Sequence, residues 1–176
     1  MFSFDLITNS IFLNIENPFY TKAFLFAAWL FNPIQCIFLV GFTSFFLYKR
    51  YGIKTVYMFI STVLFTFCLV QFIKILTGVH RPINGLIVET GNSFPSAHTA
   101  VATAYFLMLL HFLKRTANKK LRILHTFFCV LSATFVGVSR VYLGVHWVSD
   151  VMAGYIVGGL AVYTSVKVWR YFDKSL

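Results

Sequence analysis

Apolar residues run through this chain in long blocks, separated by short polar links. The blocks at about 23–48, 54–76, 98–114, 121–139 and 146–169 each hold close to the ~20 residues that a helix needs to cross a ~30 Å hydrocarbon layer. Residues 1–21 break the pattern, because Asp5, Asn9, Asn14, Glu16 and Asn17 interrupt them. Phe2, Leu6, Ile11, Phe12 and Leu13 are spaced to line one face of a helix lying on a membrane surface. The pattern predicts an all-α fold: a polytopic bundle of five transmembrane helices with an N-terminal interfacial helix, forming one domain over residues 1–176. Asn32-Pro33 and Gln35 predict a kink in the first span. No basic start precedes an apolar core, so no cleaved signal peptide is expected.

Composition agrees with a membrane protein: hydrophobic residues make up 59% and charged residues 11%, with 22 Phe. The formal charge of +10 invites a nucleic-acid reading until the cations are located. Eleven of the fifteen Lys and Arg fall at one set of span ends: Lys49, Arg50 and Lys54; Lys114, Arg115, Lys119, Lys120 and Arg122; Lys167, Arg170 and Lys174. The positive-inside tendency makes that side cytoplasmic, with the N-terminus out and the C-terminus in. The excess charge is then a matter of orientation, and no nucleic-acid partner is expected. Cys36, Cys68 and Cys129 lie within apolar blocks, without paired or metal-like spacing, and are expected as buried thiols. Gly154-x3-Gly158 predicts close helix packing.

The remaining cations belong mostly to three short stretches: Lys74 to Pro82 (KILTGVHRP), Pro95 to His98 (PSAH) and Ser139 to Asp150 (SRVYLGVHWVSD). Taken singly, each has an ordinary explanation. Lys74 suits a helix C-terminus, Ser96 suits a helix N-cap, and Asp150 suits a first helical turn beside an interfacial His146. Taken together, they gather at one end of the predicted bundle. Lys74 closes the second span, Ser96, Ala97 and His98 open the third, Arg140 closes the fourth, and His146 and Asp150 open the fifth. Pro82 makes Arg81 the expected end of the second helix. Arginine forks grip two phosphate oxygens while lysine supplies a point charge. A helix N-terminus at Ser96 adds amides for an anion. A carboxylate four residues from an imidazole fixes its tautomer, leaving the other nitrogen as a nucleophile.

Read as K-x6-R-P, P-S-x-H and S-R-x5-H-x3-D, these stretches resemble the signature of the type 2 phosphatidic acid phosphatase superfamily, the membrane lipid phosphatases. The resemblance covers residues 74 to 150. It implies that His146 is the nucleophile and forms a transient phosphohistidine, with Asp150 orienting it and His98 handling the leaving-group proton. Lys74, Arg81, Ser96, Ala97 and Arg140 would hold the phosphoryl group. The family usually carries Gly where this chain has Ala97. The stretch E-x-G-x-S-F-P-S from Glu89 is similar to loops in bacterial phosphatidylglycerophosphate phosphatase-like members, so Glu89 is expected at the headgroup and His80 at the rim.

No metal or cofactor is implied. The expected partners are the bilayer and a lipid phosphate such as phosphatidylglycerophosphate, undecaprenyl diphosphate or lipid A 1-phosphate. The expected location is a bacterial inner membrane, with the site on the extracytoplasmic side. Phosphotransfer to an acceptor alcohol and non-enzymatic anion binding or transport are the competing functions.

Overall fold

A computed structural model describes residues 3–13, 15, 17–83, 85–114 and 118–172. It is all helical among these: α1 (Ser3–Leu13), α2 (Pro18–Leu30), α3 (Pro33–Tyr51), α4 (Ile53–Thr77), α5 (Ala97–Leu113), α6 (Lys119–Tyr142) and α7 (Val148–Phe172). Of the residues invoked above, Phe2, Asn14, Glu16, Arg115 and Lys174 lie outside the described residues.

Helices α4, α6 and α7 are long and apolar enough to cross a membrane unbroken. The block read as one span over 23–48 is two helices, α2 and α3, meeting at a 70° break. The reason is local. Asn32 is extended at the start of α3 and Pro33 occupies its first turn, where a proline has no amide to bond backward. Central α5 has only 17 residues. Five crossings therefore reduce to three unbroken helices, one broken pair and a short central helix.

Helix α5 packs against α4, α6 and α7, which is why all of Thr99–Tyr105 is buried although the surrounding helices expose many Phe and Leu side chains. Exposed apolar side chains such as Phe38, Phe42, Phe128 and Ile156 form an outer surface suited to lipid. Contact between α5 and α7 depends on absent side chains. A Cβ on Gly154 would lie 2.9 Å from the Ser96 carbonyl oxygen, and one on Gly158 would lie 2.5 Å from that of Ala100. These two glycines let the backbones approach, as their spacing predicts. Cys36 and Cys129 are buried as expected, whereas Cys68 is exposed. It sits on the outer side of α4, where an apolar residue can face lipid as readily as protein.

Two details near the site differ from expectation. Helix α4 stops at Thr77, because Gly78 turns left-handed (φ +61°) and returns its N–H to the Lys74 carbonyl at 3.2 Å. Arg81 therefore lies in the following loop and does not end the helix. In α1, Leu6 and Ile11 are exposed, but Phe12 packs edge-on against Tyr142 of α6 at 6.3 Å. Asp5, which reads as a polar interruption, is only 1% exposed.

Candidate active site

The ends of α4, α5 and α6 and the start of α7 meet with the loop after α4, and the motif residues converge there. Ser96, Arg140, His146 and Asp150 are completely or almost completely buried, and Lys74 nearly so. Each is placed by an element boundary.

Ser96 caps α5. Its Oγ accepts from the Thr99 amide at 3.5 Å and from Thr99 Oγ1 at 3.0 Å, which leaves its own proton to donate. Its backbone N–H donates to the Asp150 carbonyl at 3.0 Å, tying the starts of α5 and α7 together. Ala97 takes the first helical position, and no described non-glycine residue has positive φ, so its methyl costs no backbone strain. The amides of Ala97 and His98 belong to the first turn, which lacks partners within its own helix. His98 Nε2 lies 3.0 Å from Asn32 Oδ1. A carboxamide oxygen only accepts, so that nitrogen carries its proton.

His146 and Asp150 do not share a helix face, as their spacing suggested. Helix α7 starts at Val148, so His146 sits in the preceding turn. The contact forms because Asp150, in the third helical position, reaches back. Its Oδ2 accepts from the Trp147 amide at 2.9 Å and lies 3.2 Å from His146 Nδ1. This is half of a capping box with an imidazole added. On the other side of the ring, Arg81 Nη1 lies 3.1 Å from His146 Nε2. A guanidinium has only donors, so Nε2 must present its lone pair and Nδ1 must carry the proton toward Asp150. The two contacts fix one tautomer. Burial, then the charges of Arg81, Arg140 and Lys74, push the His146 pKa well below its ordinary value. The ring is held as the neutral base.

Arg81 is fixed by loop carbonyls: Nε donates to Gly91 O at 3.1 Å and Nη1 to Val145 O at 2.9 Å. Lys74 Nζ donates to the carbonyls of Asn92 and, at 3.1 Å, Ser93, while Asn92 Nδ2 returns a bond to Lys74 O at 2.8 Å. Arg140 is fully buried, and its Nη2 meets Glu89 Oε1. Its Nε and Nη1 have no hydrogen-bond partner among the described residues. A buried guanidinium with two unpaired donors is a strong seat for acceptor oxygens. Glu89 also pairs with Arg81 Nη1 at 3.0 Å through Oε2. It thus points to the arginines. Burial pushes its carboxyl up, but the Arg140, His98 and Arg81 charges outweigh this and hold it below the usual carboxylate range. His80 contributes its backbone: its carbonyl accepts from Trp147 Nε1 at 2.9 Å and from Ser93 Oγ at 3.1 Å, while the residue is exposed.

Three residues escaped the sequence reading. Asn32 reaches His98 because the α2–α3 break turns it inward. Ser93 ties the loop to the Val79 carbonyl through its amide at 2.7 Å. Asp5 accepts from the Ser149 amide at 3.0 Å and from Ser149 Oγ at 2.9 Å. Trp147, at the N-cap position of α7, has no side-chain oxygen, so α1 supplies the cap from 144 residues away. A groove of about 730 Å³, lined by Lys114, Lys119, Arg122, Phe127 and Val130, opens at the opposite end of α6. Its walls are almost wholly apolar, so the convergent polar groups and not cavity size locate the chemistry.

Known proteins resemble this chain in sequence and fold. A phosphatidylglycerophosphatase B of Bacillus subtilis is 35% identical over 94 residues, covering 52% of this chain and 44% of that protein. An undecaprenyl-diphosphatase of Sulfolobus acidocaldarius is 35% identical over 79 residues, covering 45% of this chain and 34% of its own length. The chain thus spans less than half the length of these curated relatives. The crystal structure of a transmembrane PAP2-type phosphatidylglycerolphosphate phosphatase from Bacillus subtilis superposes with a TM-score of 0.89 at 22% identity, covering 97% of this chain and 87% of that one. That of Aquifex aeolicus LpxE gives 0.77 at 24%, covering 94% and 96%. At these identities the two structures establish a shared fold. The PAP2 superfamily model matches residues 54–174, a stretch that holds Lys74, Arg81, His98, Arg140, His146 and Asp150. The chain belongs to the PAP2 superfamily.

Proposed function

We propose that this protein is a membrane lipid phosphatase that works through a phosphohistidine on His146. The observation that carries the reading is the fixed tautomer of His146, with Nδ1 toward Asp150 Oδ2 and the Nε2 lone pair toward Arg81. Nε2 forms a bond to phosphorus while the bond from phosphorus to the leaving oxygen breaks. His98, brought to the imidazolium by the negative charge of the bound phosphate, gives that oxygen a proton and becomes neutral. Water then attacks the phosphohistidine with His98 accepting its proton, and inorganic phosphate departs. Lys74, Arg81, Arg140, the Ser96 hydroxyl and the amides of Ala97 and His98 hold the phosphoryl oxygens and stabilise the charge that develops on them. Metal is not required by this scheme.

The substrate is a lipid with a terminal phosphate or diphosphate: phosphatidylglycerophosphate, undecaprenyl diphosphate or lipid A 1-phosphate. The names of the relatives support this class. The Lys- and Arg-rich helix ends lie opposite the site, which supports an extracytoplasmic active site with the C-terminus inside, in a bacterial inner membrane. The test is phosphate release by the detergent-solubilised protein in EDTA from those three lipids, beside His146→Ala. Release lost in the variant supports the mechanism, and the ranking of lipids names the substrate. Release that persists in the variant removes His146 as nucleophile. Labelled phosphate transferred to an alcohol and absent from solution establishes phosphotransfer instead.

A further inference from the structure

Glu89 occupies the seat that the arginines would offer a phosphate. Its two carboxylate oxygens lie on two guanidiniums, Oε2 on Arg81 Nη1 at 3.0 Å and Oε1 on Arg140 Nη2. A carboxylate presents the same pair of oxygens to an arginine fork that a phosphoryl group does. Among the described residues Glu89 is the charged side chain on this seat, and it comes from a loop. It belongs to the loop between α4 and α5, and its side chain is 22% exposed, while that of Arg140 is fully buried. Arg140 is held in place by the end of α6 and keeps Nε and Nη1 open, so a phosphate that spans both guanidiniums must displace the carboxylate from Arg140 Nη2 and Arg81 Nη1.

The charges set the terms of exchange. Lys74, Arg81 and Arg140 face Asp150 and Glu89, leaving one formal positive charge in the resting site. Replacing Glu89 by a phosphodiester, which carries one negative charge, leaves that balance unchanged. Replacing it by a terminal phosphate, which carries about −1.5 to −2 at pH 7, removes the excess. A tethered carboxylate also competes at the high effective concentration of an intramolecular group. Phosphodiesters are the abundant headgroups of a bilayer, and an open site with three cations would be filled by them.

Resting on the phosphatase reading above, we propose that Glu89 is a built-in competitor that closes the phosphate seat against phosphodiester lipids and yields to terminal phosphates. It is a specificity-determining residue that acts by exclusion.

The experiment compares the full-length wild type with Glu89→Gln, which keeps size and removes charge, and with Glu89→Ala. Binding of inorganic phosphate is measured by calorimetry in neutral detergent, so the readout does not depend on turnover. Hydrolysis of a lipid phosphomonoester is then measured with and without excess phosphatidylglycerol, a phosphodiester. Both variants should bind phosphate about tenfold tighter, since the competent fraction of sites no longer waits on the loop. They should also become inhibited by phosphatidylglycerol at levels the wild type ignores. Phosphate affinity that is unchanged or weaker in both variants, with melting temperatures intact, overturns the proposal. So does tighter phosphate binding without any new inhibition by the diester. Tighter phosphate binding and diester binding in proteins that hydrolyse nothing would uphold the exclusion and remove the phosphatase reading.

Discussion

Asp5 and Glu89 both bring a carboxylate to this site from outside its three motifs, but they are held by different partners. Glu89 lies on two guanidiniums, whose charge a substrate phosphate would claim. Asp5 lies on an amide and a hydroxyl of Ser149, groups that α7 must satisfy in every state. Glu89 therefore sits in a replaceable contact and Asp5 in a permanent one. An acid on a cation competes with the substrate, whereas an acid on a helix N-terminus builds the scaffold beneath it. Asp5 matters to chemistry only through what it holds. The first turn of α7 carries Asp150, and Asp150 orients His146.

The largest effect should come from removing one of the two partners that make Glu89 a competitor. Arg140→Met keeps apolar bulk in a buried position and deletes the donors. We expect kcat/KM to fall by about 10²–10³, the usual loss for one electrostatic stabiliser of a transition state. In that background Glu89→Gln should tighten phosphate binding less, because only Arg81 still holds the carboxylate, which a binding titration of the double variant would show. Asp5→Ala should act differently. It removes a helix cap, so stability should drop by about 1–2 kcal/mol. The rate constant kcat should fall while phosphate affinity stays near that of the wild type. Ser149→Ala should cost less, because the amide bond to Asp5 survives it. If Asp5→Ala changes phosphate affinity as strongly as Glu89→Gln does, the distinction between scaffold and competitor fails.

A smaller effect is expected at His98. Asn32→Ala removes the acceptor 3.0 Å from its Nε2, a neutral hydrogen bond worth about 0.5–1.5 kcal/mol. If His98 protonates the leaving oxygen, lipid alkoxides should suffer from the loss more than a phenolate leaving group, which needs little protonation. Comparing kcat for a lipid phosphate and for p-nitrophenyl phosphate checks this. Equal losses would assign Asn32 to packing alone.

Asp5 and Asn32 also mark where the sequence became silent. The convergence of Lys74, Ser96, Arg140 and Asp150 was legible because each sits at a span boundary, and boundaries follow from hydropathy. The cap at Ser96 was legible for a similar reason: its chemistry is local. The His146–Asp150 contact was expected from the right spacing for the wrong cause. Four residues can be one helical turn or, as here, a third-position acid reaching back over a cap. Asp5 left no signal, because its partner is 144 residues distant and its own helix shows it only as a break in an apolar pattern. Asn32 registered as a kink and not as a ligand of His98, since backbone chemistry announces a bend but not what it aims at. Arg81 was placed on a helix because Pro82 is a familiar stop. The left-handed turn at Gly78 acts four residues sooner.

Protonation of His146 gives the subtlest contrast between the two carboxylates. Its pKa is lowered first by burial, then by Arg81, Arg140 and Lys74, and Glu89 opposes those charges. In the unfolded chain the group titrates near 6.5. As pH falls through that value, the unfolded chain takes up a proton that the folded one refuses, so stability declines until the lower folded pKa is reached. With His146 as the proposed nucleophile, activity follows the neutral ring, so the acid limb of kcat/KM, which reports the free enzyme, should lie below 6.5. Glu89→Gln deletes the opposing negative charge and should move that limb to still lower pH. Asp5→Ala loosens the turn that buries the ring, and relief of desolvation should move it upward toward 6.5. The substrate phosphate has its own ionisation near pH ~6, but it is common to every variant and cancels in the comparison. Opposite shifts from two lost carboxylates would separate an acid that acts by charge from one that acts by position; shifts in the same direction would mean that both act on His146 through charge.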